Sequence, residues 1–159
     1  MSIKINECFP EVTFYQLVDG NPQKVKSSEL FNKKTILLVS VPGAFTPTCS
    51  NDHLPGYIKY FDQLKEKNID EIYFVSVNDP FVMDAWLNSY SEKKIKYIAD
   101  SDSELLNSLG LEIDLSTIGL GKRLSRFAML IDNGLIKMIF DEKGGGLEKS
   151  KAENLLEIL

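Results

Sequence analysis

Apolar positions along the chain follow two periods, and the changes between them outline the elements. Thr35–Val41 (TILLVSV) is a short, almost wholly aliphatic run, which predicts a central strand buried on both faces. After the loop PGAFTP, residues Leu54, Tyr57, Ile58, Phe61 and Leu64 recur at helical spacing. They predict a helix reaching about Lys67, bent where Pro55 removes a backbone donor. Glu71–Val77 (EIYFVSV) reads as a second strand. Asp79 as N-cap and Pro80 at the first helical position then start a helix carrying Phe81, Val82, Ala85 and Trp86. A short strand at Lys96–Ala99 precedes a short helix at Ser103–Leu109, closed by Gly110. Arg126–Ile131 and Leu135–Phe140 flank Asp132-Asn133-Gly134, a strong hairpin signal. Gly144–Gly146 predicts a flexible connection, and Ser150 with Glu153 predicts a capping box for a terminal helix.

This order is βαβα, a further short βα unit, a β-hairpin and a helix. It predicts an α/β domain in which a central mixed sheet carries helices on both faces. The thioredoxin-like architecture has the same order. The 159 residues, 43% hydrophobic and 26% charged, fit one globular unit over 1–159, with no internal repeat. A net charge of −5 argues against a nucleic-acid footprint or a basic membrane face. No apolar run is long enough to span a bilayer, and MSIKINECFP lacks the apolar stretch of a secretory signal. A cytoplasmic protein is expected, or an organellar one after removal of a leader.

Scarce residues point to the chemistry. The two cysteines, Cys8 and Cys49, form no CxxC, which excludes a zinc ribbon, a disulfide scaffold and a dithiol motif. Neither a metal nor an organic cofactor is expected. His53 is the single histidine, and of eighteen basic residues only Arg123 and Arg126 are arginines. Around Cys49, Pro47 fits the first helical position, which makes Thr46 the N-cap and puts the cysteine in the first turn. Unpaired backbone N–H groups there favour thiolate over thiol. The Thr46 hydroxyl can hold a sulfur and an incoming oxygen together, while Pro42 and Pro47 stiffen the loop. The alternative reading is an inert small hydrophobe at a helix start.

The run PGAFTPTCSNDHLPG (Pro42–Gly56) resembles the active-site motif of the type-5, or type II, atypical peroxiredoxins. The likeness continues, in the same order and spacing, through SVNDPFVMDAW (Ser76–Trp86), GLGKRLSRFAMLIDNG (Gly119–Gly134) and the C-terminal GGGLEKSKAENLLEIL. The resemblance implies a thiol peroxidase for hydrogen peroxide and alkyl hydroperoxides, serving antioxidant defence and redox homeostasis. Cys49 matches the peroxidatic cysteine, which is oxidised to a sulfenic acid, and Thr46 the threonine that hydrogen-bonds sulfur and peroxide. Pro42 matches the proline that shields the thiolate. Arg126 matches the arginine that stabilises the thiolate and polarises the O–O bond. A homodimer is implied on the same grounds.

Other positions carry less. His53, four residues after Cys49, is read as a surface or packing histidine, although its place in the motif suggests a supporting role at the pocket edge. Arg123 is read as solvated, and Phe45, Phe81 and Trp86 as core or interface. A sulfenic acid needs a second thiol to reduce it. Family members that carry one place it near Glu71–Val77, near Ser116 or after Gly146, and this chain has no cysteine there. Cys8 fits none of these positions and is read as structural or incidental. The expected reductant is therefore external, glutathione with glutaredoxin, with thioredoxin as second choice. A peroxide sensor or chaperone-like interaction protein switched by Cys49 oxidation would use the same residues.

Overall fold

The computed structural model describes residues 4–90, 94–144 and 146–159; Gly145, inside the expected Gly144–Gly146 connection, and the first three residues of the N-terminal segment lie outside them. The chain opens with a hairpin, β1 (Thr13–Val18) and β2 (Asn21–Lys26), that the periodicity did not reveal. Its turn residues Asp19 and Gly20 both have positive φ, 53° and 80°, the turn geometry that matches strand twist. A one-turn helix α1 (Ser27–Leu30) leads into β3 (Thr35–Ser40), the strand expected from the aliphatic run.

The helix expected to reach Lys67 is in fact three pieces. A π-helical turn at Cys49–His53 is followed by α2 (Leu54–Lys59) and, after a break at Tyr60, by α3 (Phe61–Lys65). The Leu54 amide reaches back five residues to the Cys49 carbonyl. Pro55 has no N–H to give the Asn51 carbonyl, so the ordinary four-residue pattern cannot continue there and the turn widens instead. Next come β4 (Glu71–Ser76), α4 (Pro80–Asn88), β5 (Lys96–Ala99) and α5 (Glu104–Leu109). Asp79 caps α4 as expected, its carboxylate accepting from the Val82 amide at 2.9 Å. Gly110 ends α5 at φ 68°. A small hairpin, β6 (Glu112–Leu115) and β7 (Gly121–Leu124), stands apart from the main sheet.

Then β8 (Phe127–Asp132) and β9 (Leu135–Asp141) form the hairpin foreseen at Asn133-Gly134, with φ of 48° and 81° in the turn. Helix α6 (Ala152–Ile158) closes the chain. The capping box does not form. Lys151 is the N-cap, and the Ser150 hydroxyl is bonded to the Glu142 carboxylate instead. The longer-range carboxylate wins the hydroxyl that local rules would give to the helix.

The main sheet has the order β2-β1-β5-β4-β3-β8-β9. It is mixed: β3 runs parallel to β4, and β4 to β5, while β8 and β9 are antiparallel. Leu37, Val39 and Val41 pack with α2, α3, α4 and α6 through Leu54, Leu64 and Trp86. Ile36 and Leu38 pack with α1 and α5 through Leu30 and Leu105. This is the thioredoxin-like arrangement expected from the element order. Among the described residues no helix is long and apolar enough to cross a membrane.

Candidate active site

Strand β3 ends at Ser40, which pairs with Phe127 at the start of β8, so the loop after β3 lies beside the residue preceding β8. That residue is Arg126. It is only 2% exposed, and its Nη2 donates to the sulfur of fully buried Cys49 at 3.2 Å. The two residues are 77 positions apart in sequence, and antiparallel pairing of β3 with β8 is what joins them.

Arg126 is aimed by a chain of partners. Its Nη1 lies 2.7 Å from Nδ1 of His53. A guanidinium can only donate, so Nδ1 must be the bare acceptor nitrogen and the ring proton sits on Nε2. From there it is donated to the Ser150 carbonyl at 3.2 Å, which also accepts from the Tyr57 hydroxyl at 2.5 Å. His53 is fully buried and packs edge-on against Tyr57 and Phe74, with ring centroids 5.5 and 5.6 Å away. Burial, with the positive charge of Arg126, lowers its pKa from 6.5 to about 3, against a smaller opposing pull from Ser150. The imidazole is therefore neutral across the physiological range. His53 is thus not at the surface: it packs in the core and orients Arg126, the supporting role that its place in the motif suggests.

The loop between β3 and Cys49 is held just as closely. The Thr46 carbonyl accepts from the Ser50 amide at 2.9 Å, as befits an N-cap, but its hydroxyl turns back to the Gly43 carbonyl at 2.7 Å. Among the described residues no amide of the following turn donates to it. Ala44 donates to the Asn78 side chain at 2.8 Å, fixing the loop to the start of the α4 segment. Pro42 is buried, and its carbonyl accepts from Arg123 Nη1 at 3.1 Å while Arg123 Nε bonds the Leu120 carbonyl at 2.7 Å. Arg123 is thus a clamp on the active-site loop, not the solvated charge expected. A Cβ on Gly43 would stand 2.8 Å from that same Nη1, so the absence of a side chain there makes room for the clamp. On the far side, Trp86 Nε1 donates to the Ser50 hydroxyl at 3.0 Å, and the Tyr90 hydroxyl to the Ser50 carbonyl at 2.5 Å. Trp86 is core, while Phe45 and Phe81 are 56% and 54% exposed.

Cys8 lies elsewhere. It bridges to Leu135, which pairs with Asp132, which in turn pairs with Thr35 at the beginning of β3. Cys49 follows the opposite end of this six-residue strand. At about 3.3 Å per residue the strand alone separates the two ends by roughly 17 Å. Among the described residues no group of three His, Cys, Asp or Glu side chains is placed to hold a metal ion.

What emerges is a buried sulfur facing an immobilised, permanently charged fork of donors, a setting suited to an anionic sulfur and to charge developing on an oxygen beside it. Comparison with known proteins points the same way. The family model described as Redoxin matches residues 4–156. The chain is 50% identical over 138 residues to Peroxiredoxin-2C of Oryza sativa subsp. japonica, covering 86% of this chain and 85% of that protein. Reduced Prx3 in complex with H2O2 from Vibrio vulnificus has a TM-score of 0.93 at 43% identity, covering 98% of each chain. The antioxidant protein of Plasmodium falciparum, a 1-Cys peroxiredoxin, has a TM-score of 0.92 at 35% identity, again over 98% of each chain. With a redoxin model matched along nearly its whole length and peroxiredoxins as its relatives in sequence and in fold, the chain belongs to the peroxiredoxins, the thiol peroxidases of the redoxin family.

Proposed function

We propose that this peroxiredoxin reduces hydrogen peroxide and alkyl hydroperoxides with Cys49 as its one catalytic cysteine, and that glutathione with glutaredoxin regenerates it. The observation that carries the assignment of Cys49 is the contact of Arg126 Nη2 with its sulfur at 3.2 Å. The Cys49 thiolate attacks one peroxide oxygen, forming the S–O bond as the O–O bond breaks. The leaving oxygen departs as alkoxide or hydroxide and takes a proton. Arg126 faces the atoms over which that charge spreads. The Thr46 hydroxyl, its hydrogen on the Gly43 carbonyl, keeps lone pairs for the proton of a bound hydroperoxide. Pro42, buried at the start of the loop, keeps water from the sulfur. A peroxide-bound relative supports the substrate class.

The position of Cys8 supports an external reductant. A disulfide needs Cα atoms within about 7 Å, and Cys8 sits at the other end of β3. The sulfenic acid therefore condenses with an external thiol to a mixed disulfide and water, and a second thiol releases Cys49 as the thiol. No cofactor takes part. A homodimer completes the reading. Phe45, in the loop after β3, and Phe81, in the first turn of α4, are exposed on segments joined by the Ala44–Asn78 bond, and Ile118 is 68% exposed. We place the protein in the cytoplasm, or in an organelle if a leader precedes it.

The test is peroxide consumption with glutathione and glutaredoxin by the native chain, Cys49→Ser and Cys8→Ser. Loss in Cys49→Ser alone is expected. Equal loss in Cys8→Ser would make Cys8 a resolving thiol and overturn the reductant assignment. Turnover with thioredoxin but not with glutathione and glutaredoxin would overturn it as well.

A further inference from the structure

Beyond Arg126 and His53 the hydrogen-bonded chain continues into the segment after β9, and the group that anchors it there is a carboxylate. Glu142 follows the last residue of β9 and lies directly beside Arg126, to whose carbonyl its own amide donates at 3.1 Å. Its Oε2 accepts from the Glu148 amide at 2.8 Å, the Ser150 amide at 2.7 Å and the Ser150 hydroxyl at 2.7 Å, and its Oε1 from the Lys149 amide at 3.0 Å. Partial burial pushes its pKa up, but these bonds to the ionised form outweigh that and leave it below the usual carboxylate range. One side chain thus gathers three successive backbone amides, Glu148 to Ser150, and draws them back in a loop onto the end of β9.

That loop ends at the atom His53 requires. The Ser150 carbonyl is the acceptor for Nε2 of His53, and accepting that proton is what leaves Nδ1 bare for Arg126. If the loop opened, the carbonyl would move away. His53 would lose the partner that sets its tautomer, and Arg126 would lose the fixed acceptor that holds its fork against Cys49. The same loop grips Arg126 by its main chain, since the Arg126 amide donates to the Gly144 carbonyl at 2.8 Å.

From this we propose that Glu142 is a positioning residue for the peroxidase reaction, acting on Cys49 through the Ser150 carbonyl, His53 and Arg126. It touches neither sulfur nor peroxide. Its contribution is to keep the donors of Arg126 preorganised, and a displacement of about 1 Å at such a site costs on the order of a hundredfold in rate. The inference rests on Cys49 and Arg126 being the reacting pair.

The experiment measures the second-order rate constant for oxidation of Cys49 by hydrogen peroxide, followed by stopped-flow fluorescence of Trp86, across pH 5 to 9. The chains compared are native, Glu142→Ala, Glu142→Gln, His53→Leu and the double variant Glu142→Ala/His53→Leu, each checked for its urea midpoint. Glutamine retains a carbonyl oxygen for most of the donors, so Glu142→Gln should stay within about threefold of native. Glu142→Ala should lose about tenfold or more and shift the pH profile, although the variant remains folded. In the His53→Leu background the same alanine substitution should cost much less, because a leucine can neither accept from Arg126 nor donate to Ser150 and the relay is already cut. Equal losses in both backgrounds would overturn the proposal, as would a Glu142→Ala rate within about threefold of native. If Glu142→Ala proves unfolded, Glu142→Asp, which withdraws the carboxylate by one methylene, takes its place alone and in the His53→Leu background, under the same criterion. Failure of the underlying assignment reads differently: Cys49→Ser would still reduce peroxide.

Discussion

His53 should leave a measurable signature in the dependence of stability on pH. Its pKa is about 3 in the folded protein against 6.5 ordinarily, so below pH 6.5 the unfolded chain takes up a proton that the folded chain refuses. Stability from this group is complete above pH 6.5 and is lost as pH falls toward 3. From pH 7 to pH 5 the loss amounts to about 2 kcal/mol. A second buried group opposes it. Burial raises Asp100 from 3.8 to about 6, against the pull of the Leu105 and Leu106 amides it accepts and with help from Glu104 and Asp102. A carboxyl raised on folding stabilises as pH falls through 6, and over the same interval it returns about 1 kcal/mol. The native chain should therefore lose no more than about 1 kcal/mol between pH 7 and pH 5 from these two groups. His53→Gln keeps an acceptor for Arg126 and removes the titration. Its unfolding free energy should rise over that interval where the native value falls, the two curves diverging by about 2 kcal/mol. Urea unfolding of both reduced proteins at pH 7 and pH 5, with m-values compared, measures this directly. Parallel curves would refute the argument, for they would mean that the imidazole is protonated in the folded state and that Nδ1 is not the acceptor of Arg126.

Four further outcomes follow from the same geometry. Arg126→Lys offers one nitrogen where two now serve His53 and Cys49, so peroxide oxidation of Cys49 should slow by about a hundredfold in stopped flow. Gly43→Ala pushes a methyl toward the guanidinium that holds the Pro42 carbonyl. It should lower the oxidation rate by about threefold to tenfold with little change in urea midpoint, and Arg123→Ala should mimic it. Cys8→Ser should leave the peroxide-treated protein unchanged on non-reducing gels of the monomer band, because no disulfide bridges the two ends of β3. Trp86→Phe removes the bond to the Ser50 hydroxyl from a fully buried site and should cost about 1–3 kcal/mol in urea unfolding.

The sequence was readable where local chemistry decides the structure. The aliphatic run of β3, the Asp79-Pro80 start of α4, the Gly110 stop of α5 and the Asn133-Gly134 hairpin all appear close to where the pattern put them. The β1–β2 hairpin was missed because β2 (NPQKVK) is almost entirely exposed and carries no apolar alternation; only Asp19-Gly20 advertised it. The widened turn after Cys49 was half legible. Pro55 announces a missing donor, but the packing of His53, Tyr57 and Leu54 into the core decides whether the helix kinks or widens.

The misreadings at the site share one cause, competition between partners distant in sequence. Ser150 and Glu153 satisfy the local rule for a capping box, yet the Ser150 hydroxyl goes to Glu142, whose carboxylate already holds three amides of the same loop. His53, four residues beyond Cys49, reads as a surface or packing residue, but the wider turn carries it into the core and to Arg126. Arg123 was read as solvated because a lone cation three residues before Arg126 has no visible partner. Its partners are carbonyls, Leu120 and Pro42, which no side-chain pattern can reveal. The compositional anomaly was nevertheless the right lead for both arginines. A lysine can neutralise a charge at either place, but each site needs two donors held at a fixed angle toward two separate acceptors, and only a guanidinium supplies that geometry. Both arginines stand where fixed donor direction matters more than charge.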